Sequence, residues 1–440
     1  MEQSSKKKID VVVIGAGYVG LTLAIYMAKK GSNIVVIDND IKKIEQLNNG
    51  NSTIFEDGLQ QNFLEVTKNG RLEFTSNKDI IATNWILAIS YFPGDVEKFM
   101  RVFDTINPES NKAPVIMIRG TIPVGYSKNY LLPKLEKKFN GKLDESFYLT
   151  TAPERTLSGD AMTELEELPQ LIGGTKNSTL KSEVVYNKVG ISCIKLPSLE
   201  SGELAKTFTN FSRLVQFNLS NYLGSLCHAY GINDKIMINA LKEGYPRINF
   251  LSSPGPGVGG FCLPKDSLVL YDAFSEFNNN MPKSLYNFPK DQYNLNQNII
   301  EHHYSLVKYL LKGSKNILAL GIAFKGLPQT DDTRDSIGLK ITERLFKGKY
   351  PLKVFDRTIS YEDLSNHGMQ LANFDSKNNI EKYDSVLMLN NDDYYRKLIS
   401  NNLNHFESSI KIYDPWRILV STEQDIIQTN FITENLVSII

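Results

Sequence analysis

The stretch Val11-Val-Val-Ile-Gly15-Ala-Gly17-Tyr-Val-Gly20 decides how this chain folds. The β-branched run Asp10–Ile14 predicts a strand, and Gly20–Lys30 carries helical apolar spacing, so the three glycines fall at the turn between them. Glycines at this spacing permit a tight turn, close backbone approach to a pyrophosphate and close packing of helix on strand. The helix N-terminus, which Tyr18 and Val19 open, then offers free N–H groups and a positive dipole end to the phosphates. A second strand, Asn33–Ile37, leads to Asp38, eighteen residues after Gly20, where a carboxylate holds both ribose hydroxyls. That carboxylate repels a 2′-phosphate, so the pattern predicts a nicotinamide or flavin dinucleotide, NAD before NADP. Lys43, five residues on, either offsets the charge or contacts the ribose edge.

Working outward, the 440 residues suffice for two to four domains with sizeable cores. Lys+Arg and Asp+Glu both number 49, a balance without the basic excess usual in nucleic-acid binders, so no nucleic-acid partner is expected. The three cysteines, Cys193, Cys227 and Cys262, are widely spaced. They suggest neither a disulfide framework nor a metal cluster, and suit a reducing cytoplasm. Lys6, Lys7 and Lys8 ahead of the uncharged Val11–Ala28 imitate a signal peptide or short membrane span. The glycine spacing explains that stretch better, and no membrane association is expected.

Strand signals recur at Trp85–Ile89, Pro114–Ile118 and Phe147–Thr151, the alternation of a parallel doubly wound sheet. From Glu200 to about Tyr230 the pattern predicts one long helix, followed by a shorter one over Ile232–Leu241. Ser253–Gly260 interrupts the chain with proline and glycine, Lys265–Phe274 resumes as helix, and Asn278–Gln292 reads as an interdomain loop. Strand–helix alternation returns with Ile317–Leu320, Leu352–Phe355, Ser385–Leu389 and Ile410–Tyr413. The two ends share a plan of strand, glycine, helix, and a strand ending in aspartate (Asp38 early, Asp356 late). The reading is two α/β domains bridged by a helical segment.

Ser253-Pro-Gly-Pro-Gly-Val-Gly-Gly-Phe-Cys262-Leu-Pro264-Lys265-Asp266 is the most unusual segment. Pro264 fits the first position of the following helix, which puts Cys262 at or just before the N-cap. There the dipole end and Lys265 favour thiolate over thiol. Cys193 and Cys227 read as packing residues. On the long helix Glu203, Lys206 and Asn210 share a face. They either point into one cavity or, as is commoner for such a triplet, form a solvated salt-bridging face. A dinucleotide site joined to an activated thiol points to oxidation of an alcohol or aldehyde to an acid, through a hemithioacetal and a thioester.

Taken together these residues resemble the UDP-glucose/GDP-mannose dehydrogenase family, NAD-dependent four-electron oxidases of nucleotide sugars. The resemblance spans nearly the whole chain. It rests on the glycine turn, Gly120-Thr-Ile-Pro-Val-Gly125, Ala152-Pro-Glu-Arg155, Leu168-Pro-Gln-Leu-Ile-Gly-Gly174, and Glu203-Leu-Ala-Lys206 with Asn210. It continues through Tyr245-Pro-Arg-Ile-Asn249, Pro254–Cys262, Gly321-Ile-Ala-Phe-Lys-Gly326 and Thr330-Asp-Asp-Thr-Arg-Asp-Ser336. It implies an α/β fold of two Rossmann-like doubly wound domains joined by a long central helix. The expected divisions are 1–197 (NAD binding), 198–297 (helical, dimer-forming, with the cysteine loop) and 298–440 (UDP-sugar binding). By the same resemblance Cys262 carries the hemithioacetal and thioester, Lys206 and Asn210 stabilise oxyanions, and Asp266 positions a water or the lysine. Thr121 and Glu154 orient the hydrolytic water, and Thr121 also belongs to the cofactor site. Arg155, Phe250 and Gly259 are expected against the substrate together with Glu154, Lys206 and Asn210. Arg247 is expected to reach the sugar nucleotide of a neighbouring subunit. Lys325 is expected to contact substrate from the C-terminal domain, and Arg334 to close over the cofactor pyrophosphate. No metal is implied.

The resemblance is nearer to the branch acting on UDP-N-acetylmannosamine and UDP-N-acetylglucosamine, whereas Lys265-Asp266 is closer to the branch acting on UDP-glucose. UDP-glucose and GDP-mannose are therefore alternative substrates. Departures from the family pattern are Ser90-Tyr-Phe-Pro93 in a shortened Ile86–Pro93 segment, Phe261 before the cysteine, Tyr222 after Asn221, and Trp416-Arg417 near the C-terminus. Two other readings remain open: a single-step hydroxyacid dehydrogenase with a structural Cys262, and a dinucleotide-binding sensor or scaffold without turnover. The resemblance also implies that the uronic acid product feeds surface polysaccharide synthesis.

Overall fold

The computed structural model describes residues 8–56, 58–89, 91, 96–274, 281–372, 382–402, 410–417 and 419. The chain divides into two compact units, Met1–Thr209 with Asp272–Glu276, and Asn210–Tyr271 with Phe277–Ile440. Of the altered Ile86–Pro93 segment, Ser90, Phe92 and Pro93 lie outside the described residues.

In the first unit eight strands form one sheet: β1 (Val11–Ile14), β2 (Ile34–Ile37), β3 (Leu72–Thr75), β4 (Asn84–Leu87), β5 (Val115–Ile118), β6 (Tyr148–Thr151), β7 (Gln170–Gly174) and β8 (Cys193–Leu196). Their order is β3-β2-β1-β4-β5-β6-β7-β8, with Val12 opposite Val35 on one side and Trp85 on the other. All pairs are parallel except β6 with β7. The apolar run of β1 is buried on both faces, as parallel strands under two helical layers must be. Val11 and Val13 join one core cluster with Leu21, Leu23 and Phe63, while Val12 and Ile14 join the opposite one with Trp85, Phe99 and Phe103. The strand order reverses between β1 and β4, which opens the ligand crevice at the carboxyl ends of these strands.

In the second unit β9 (Ile317–Leu320), β10 (Leu352–Phe355), β11 (Ser385–Met388) and β12 (Lys411–Tyr413) form a parallel sheet in the order β10-β9-β11-β12. Here too alternate residues serve opposite faces: Ile317 and Ala319 pack with Ile341 and Leu345, Leu318 and Leu320 with Tyr395 and Ile399. The shared plan of the two ends extends to the hydrogen bonds. Gly15 N donates to Ile37 O (2.8 Å) and Ala16 N to Asp38 Oδ2 (2.7 Å). Gly321 N donates to Phe355 O (3.0 Å), and Ile322 N and Ala323 N to Asp356 Oδ2 (2.6 and 3.0 Å).

The long helix runs over Leu199–Ala229, and the boundary between the units falls within it. Asn233 caps the next helix, Asp234–Lys242, through the N–H groups of Lys235 and Ile236. Val11–Ala28 is strand, glycine turn and helix, and among the described residues no helix is long and apolar enough to cross a membrane.

Two expectations are corrected. Most of Asn278–Gln292 is not a loop: residues 275–280 lie outside the described set, but a 28-residue helix spans Lys283–Leu310. Pro289 sits in its seventh position, where it removes one internal hydrogen bond, yet its ring is buried and the apolar stripe Ile299, Ile300, Val307 and Leu310 carries the helix. The second correction concerns Cys262, which is the first residue of the helix Cys262–Ala273 rather than its cap, so that Pro264 occupies the third position. The thiol thus still stands on the first turn, among N–H groups without an intrahelical acceptor.

Candidate active site

The cofactor turn is built by exclusion. Gly15 has φ +106°, and a Cβ there would lie 2.7 Å from the Ala88 carbonyl oxygen. A Cβ on Gly20 would lie 1.9 Å from the Gly15 oxygen, so helix and turn close only over glycine. A Cβ on Gly17 would meet no other part of the chain within 4 Å, so the approach to the N-terminus of the helix Tyr18–Lys29 is open on that side. That first turn bears no acidic residue and no side-chain cap, so its N–H groups and dipole end suit a pyrophosphate. Asp38 accepts from the N–H groups of Ala16 (2.7 Å) and Asp40 (3.0 Å), and Lys43 Nζ lies 3.4 Å from the same carboxylate. These residues fit a dinucleotide.

Tyr18 does more than separate two glycines. Its hydroxyl donates to Glu56 and accepts from Gly159 N (2.9 Å), while Glu56 also accepts from Met162 N (2.9 Å). Burial and the Glu56 carboxylate push the phenol far above its usual range, so it keeps its proton. The turn is thereby tied to the segment that follows Arg155. Glu56 was not singled out in the sequence; a lone acid in an irregular stretch carries no pattern that reveals a partner 106 residues away.

Thr121 lies in a turn held from the long helix. Glu203 accepts from Gly125 N (2.6 Å) and Ser127 N (2.9 Å) and is almost wholly buried. Burial raises its carboxyl to about 7, against the opposing pull of the Ser127 and Gly125 hydrogen bonds. Asn210 is likewise buried, so the solvated salt-bridging alternative for this face is overturned for both ends of the triplet. Lys206 lies between them, half-buried, within electrostatic reach of Glu154.

Glu154 is buried and held from several sides. Arg119, fully buried, donates to it through Nη2 and to Gln170 Oε1 through Nη1 (2.8 Å). Thr156 N donates to the other carboxylate oxygen (2.6 Å). Burial alone would raise the Glu154 carboxyl; Arg119, the Thr156 N–H and Lys206 outweigh it and hold the group below its ordinary value. Arg119 escaped the sequence reading because its partners lie 35 and 51 residues on. Arg155 points elsewhere, donating to Pro169 O (2.5 Å).

In the second unit Cys262 is exposed at the head of its helix, whereas Cys193 and Cys227 are half-buried and buried. One turn on, Asp266 is buried; it accepts from Asn210 Nδ2 (2.5 Å) through Oδ2 and pairs with Lys265 Nζ (2.8 Å) through Oδ1. The preceding loop is pinned at several points. Asn221 accepts from Gly255 N (2.8 Å), Asn296 exchanges hydrogen bonds with Val258 (2.7 and 3.0 Å), and Gly260 N donates to Asp335 O (3.1 Å). Gly257 (φ +109°) and Gly260 (φ +85°) leave no room for side chains, against Ile300 and Phe324 respectively. A Cβ on Gly259 would lie 3.3 Å from Ile337 N. The departure at Trp416-Arg417 is structural: the indole lies against Gly255, and Arg417 pairs with Asp234 (2.8 Å).

Arg247 and Phe250 are exposed around the short turn Pro246–Ile248, Arg247 over the Tyr245 ring at 5.6 Å. Lys325 lies over Phe324 at 5.4 Å. Arg334 grips Asp332 (3.0, 3.1 and 2.7 Å) and lies over Phe261 at 5.9 Å. The structure therefore gathers Asn210, Asp266 and Lys265 around the cysteine helix and gathers Glu154 with Arg119. Each set lies within a single unit.

Residues 9–189 match the NAD binding domain of the UDP-glucose/GDP-mannose dehydrogenase family, 200–287 its central domain and 318–421 its UDP binding domain. The chain belongs to that family. It is an NAD-dependent nucleotide-sugar dehydrogenase, and the glycine turn lies in the NAD binding domain. The UDP-N-acetyl-D-mannosamine dehydrogenase of Pyrococcus horikoshii is 29% identical over 365 residues, covering 79% of this chain and 83% of that protein. The UDP-glucose 6-dehydrogenase of Rickettsia bellii is 27% identical over 365 residues, covering 79% and 81%. The solved structure of the UDP-D-ManNAc dehydrogenase from Pyrococcus horikoshii shares the fold with a TM-score of 0.78 at 24% identity, over 94% of this chain and 97% of that one.

Proposed function

We propose that this family member oxidises the C6 alcohol of a UDP-N-acetylhexosamine, UDP-N-acetylmannosamine or UDP-N-acetylglucosamine, to the uronic acid in two steps through Cys262. The observation that carries the reading is the exposed thiol on the first turn of a helix whose next turn bears buried Asp266 bound to Asn210. NAD⁺, when bound, accepts the hydride released at each oxidation. The thiolate adds to the C6 aldehyde, and the hemithioacetal, once oxidised, becomes a thioester. Lys206 and Asn210 stabilise the oxyanions of these adducts. Glu154, held as a carboxylate by Arg119, takes the proton of the water that Thr121 helps to orient. Water then releases the uronate and restores the thiol. Gly15, Gly17, Tyr18, Val19, Gly20, Asp38 and Lys43 are the cofactor contacts proposed, and Arg155, Arg247, Phe250, Gly259 and Lys325 the substrate contacts. The divisions 1–197, 198–297 and 298–440 serve as the functional domains of this scheme.

The acetamido preference rests on the Pro153-Glu-Arg-Thr-Leu-Ser-Gly159 run and the proline–glycine loop, together with the mannosamine relatives. Rates of NADH formation from UDP-N-acetylmannosamine, UDP-N-acetylglucosamine and UDP-glucose test it. The first two should exceed the third by about tenfold, the worth of roughly 1.4 kcal/mol of contacts to the acetamido group. Fastest turnover on UDP-glucose refutes the preference.

The working form is proposed to be a homodimer in the cytoplasm, feeding surface polysaccharide synthesis. Leu219, Tyr222 and Leu226 form an exposed apolar stripe at helical spacing on the long helix, and Tyr230, exposed just past its end, continues it. Light scattering should give twice the chain mass, and Tyr222→Asp should halve it; a monomeric wild type rejects the dimer. The need for a reduced Cys262 agrees with the cytoplasm.

A further inference from the structure

Phe261 stands immediately before the reactive thiol, and its ring carries two cations. Lys265 Nζ, one helical turn on, lies 5.3 Å from the ring centroid, and the Arg334 guanidinium carbon lies 5.9 Å from it. Each cation also has a carboxylate partner: Lys265 pairs with Asp266 (2.8 Å) and Arg334 with Asp332 (2.7 Å). The loop bearing Arg334 is fixed to the cysteine loop through Gly260 N to Asp335 O (3.1 Å), and Lys340 holds the Asp335 carboxylate. Arg334 lies within electrostatic reach of Cys262, which favours its charged form, although less than Asp332 does. Two like charges gathered at one ring repel each other, and the negative face of the ring offsets part of that cost. An aliphatic side chain has no such face, and a serine or histidine at this position does not offer the same area to both cations.

We propose that Phe261 is a positioning residue for Cys262, its ring holding Lys265 and Arg334 on the side of the thiol so that their charges, set against those of Asp266 and Asp332, favour the nucleophilic thiolate. The charged groups around the thiol in this unit include Lys265 and Asp266 on its own helix, Asp331, Asp332, Arg334 and Asp335 on the facing loop, and Lys340, which pairs with Asp335. Lys340 is taken up by Asp335, whereas Lys265 and Arg334 both meet at Phe261. Phe261 acts through them and takes no part in bond making. The inference rests on the reading of Cys262 as the acyl-carrying residue.

The test is the rate of iodoacetamide alkylation at Cys262, followed by peptide mass spectrometry at fixed neutral pH on the full chain without substrate. Phe261→Leu should slow alkylation about five- to tenfold, the loss of two partly exposed cation–π contacts. Phe261→Trp should return it to within about twofold of wild type, because the π face is kept. Lys265→Met should slow the wild type about threefold and add little in the Phe261→Leu background, since both changes remove one interaction. A wild-type rate in Phe261→Leu, an equally slow Phe261→Trp, or fully additive effects of the Phe261 and Lys265 changes overturns the proposal. Alkylation needs no turnover, so this outcome is separate from the acyl-carrier reading, which fails only if Cys262→Ala still forms uronate.

Discussion

Cys262→Ala should abolish uronate formation while leaving NAD binding intact. The thiol is exposed on the first turn of its helix, so its removal leaves no cavity in the core and costs little packing. What is lost is the covalent intermediate that divides a difficult oxidation into two easier ones. Losses of a nucleophile in enzymes that work through an acyl intermediate reach on the order of 10⁴-fold or more in kcat, because the remaining groups act as a unit with it. Cofactor binding should be unchanged, since the glycine turn and Asp38 lie in the other unit. Titration of NAD by fluorescence, beside NADH formation with a UDP-sugar, checks both halves. A variant with more than about a tenth of wild-type turnover would leave Cys262 a bystander and restore the single-step hydroxyacid reading.

Arg119→Met should damage stability and chemistry together. The guanidinium is fully buried and satisfies Glu154 and Gln170 at once, so its loss leaves a buried carboxylate without its cation. Breaking one side of such a pair costs roughly 3–5 kcal/mol, a fall in Tm on the order of 10 °C for a unit of this size. The pH dependence follows from the sign of the shift. Glu154 is held below its ordinary value in the folded chain, so its contribution is complete above the unfolded carboxyl range and disappears as the pH falls through the lower folded value. Without Arg119, burial is the largest remaining influence, opposed by Thr156 and Lys206 alone, and the group rises; the acidic limb of uronate release should then move to higher pH. Arg119→Lys should restore part of both effects, whereas Arg119→Met with Glu154→Leu should regain stability but not turnover. Differential scanning calorimetry and a pH profile of uronate release would decide. A variant with wild-type Tm and an unmoved acidic limb contradicts the role given to Arg119.

Local grammar made the two glycine turns legible: β1 and β9, the helices after them and the terminal aspartates Asp38 and Asp356 are written in consecutive residues. The cysteine loop was legible for the same reason, since a proline–glycine run before one thiol has few packing explanations. Strand β7 was not, because Gln170–Gly174 ends in two glycines that become intelligible only against Thr151 and Gly202, where a Cβ on Gly173 would clash. The helix Lys283–Leu310 was hidden by Pro289 and its asparagines, one of which, Asn296, is used to hold the cysteine loop. Glu203 and Asn210 read as a solvated face because helical spacing reports which side chains are neighbours, not what covers them. Arg119 and Glu56 needed the fold itself to show their partners.

The most direct measurement is the number of NADH molecules formed for each UDP-N-acetylmannosamine consumed to completion. Passage through a thioester on Cys262 requires two, with a carboxylate as the only sugar product. A count of one, with the sugar left as an aldehyde or ketone, contradicts the account.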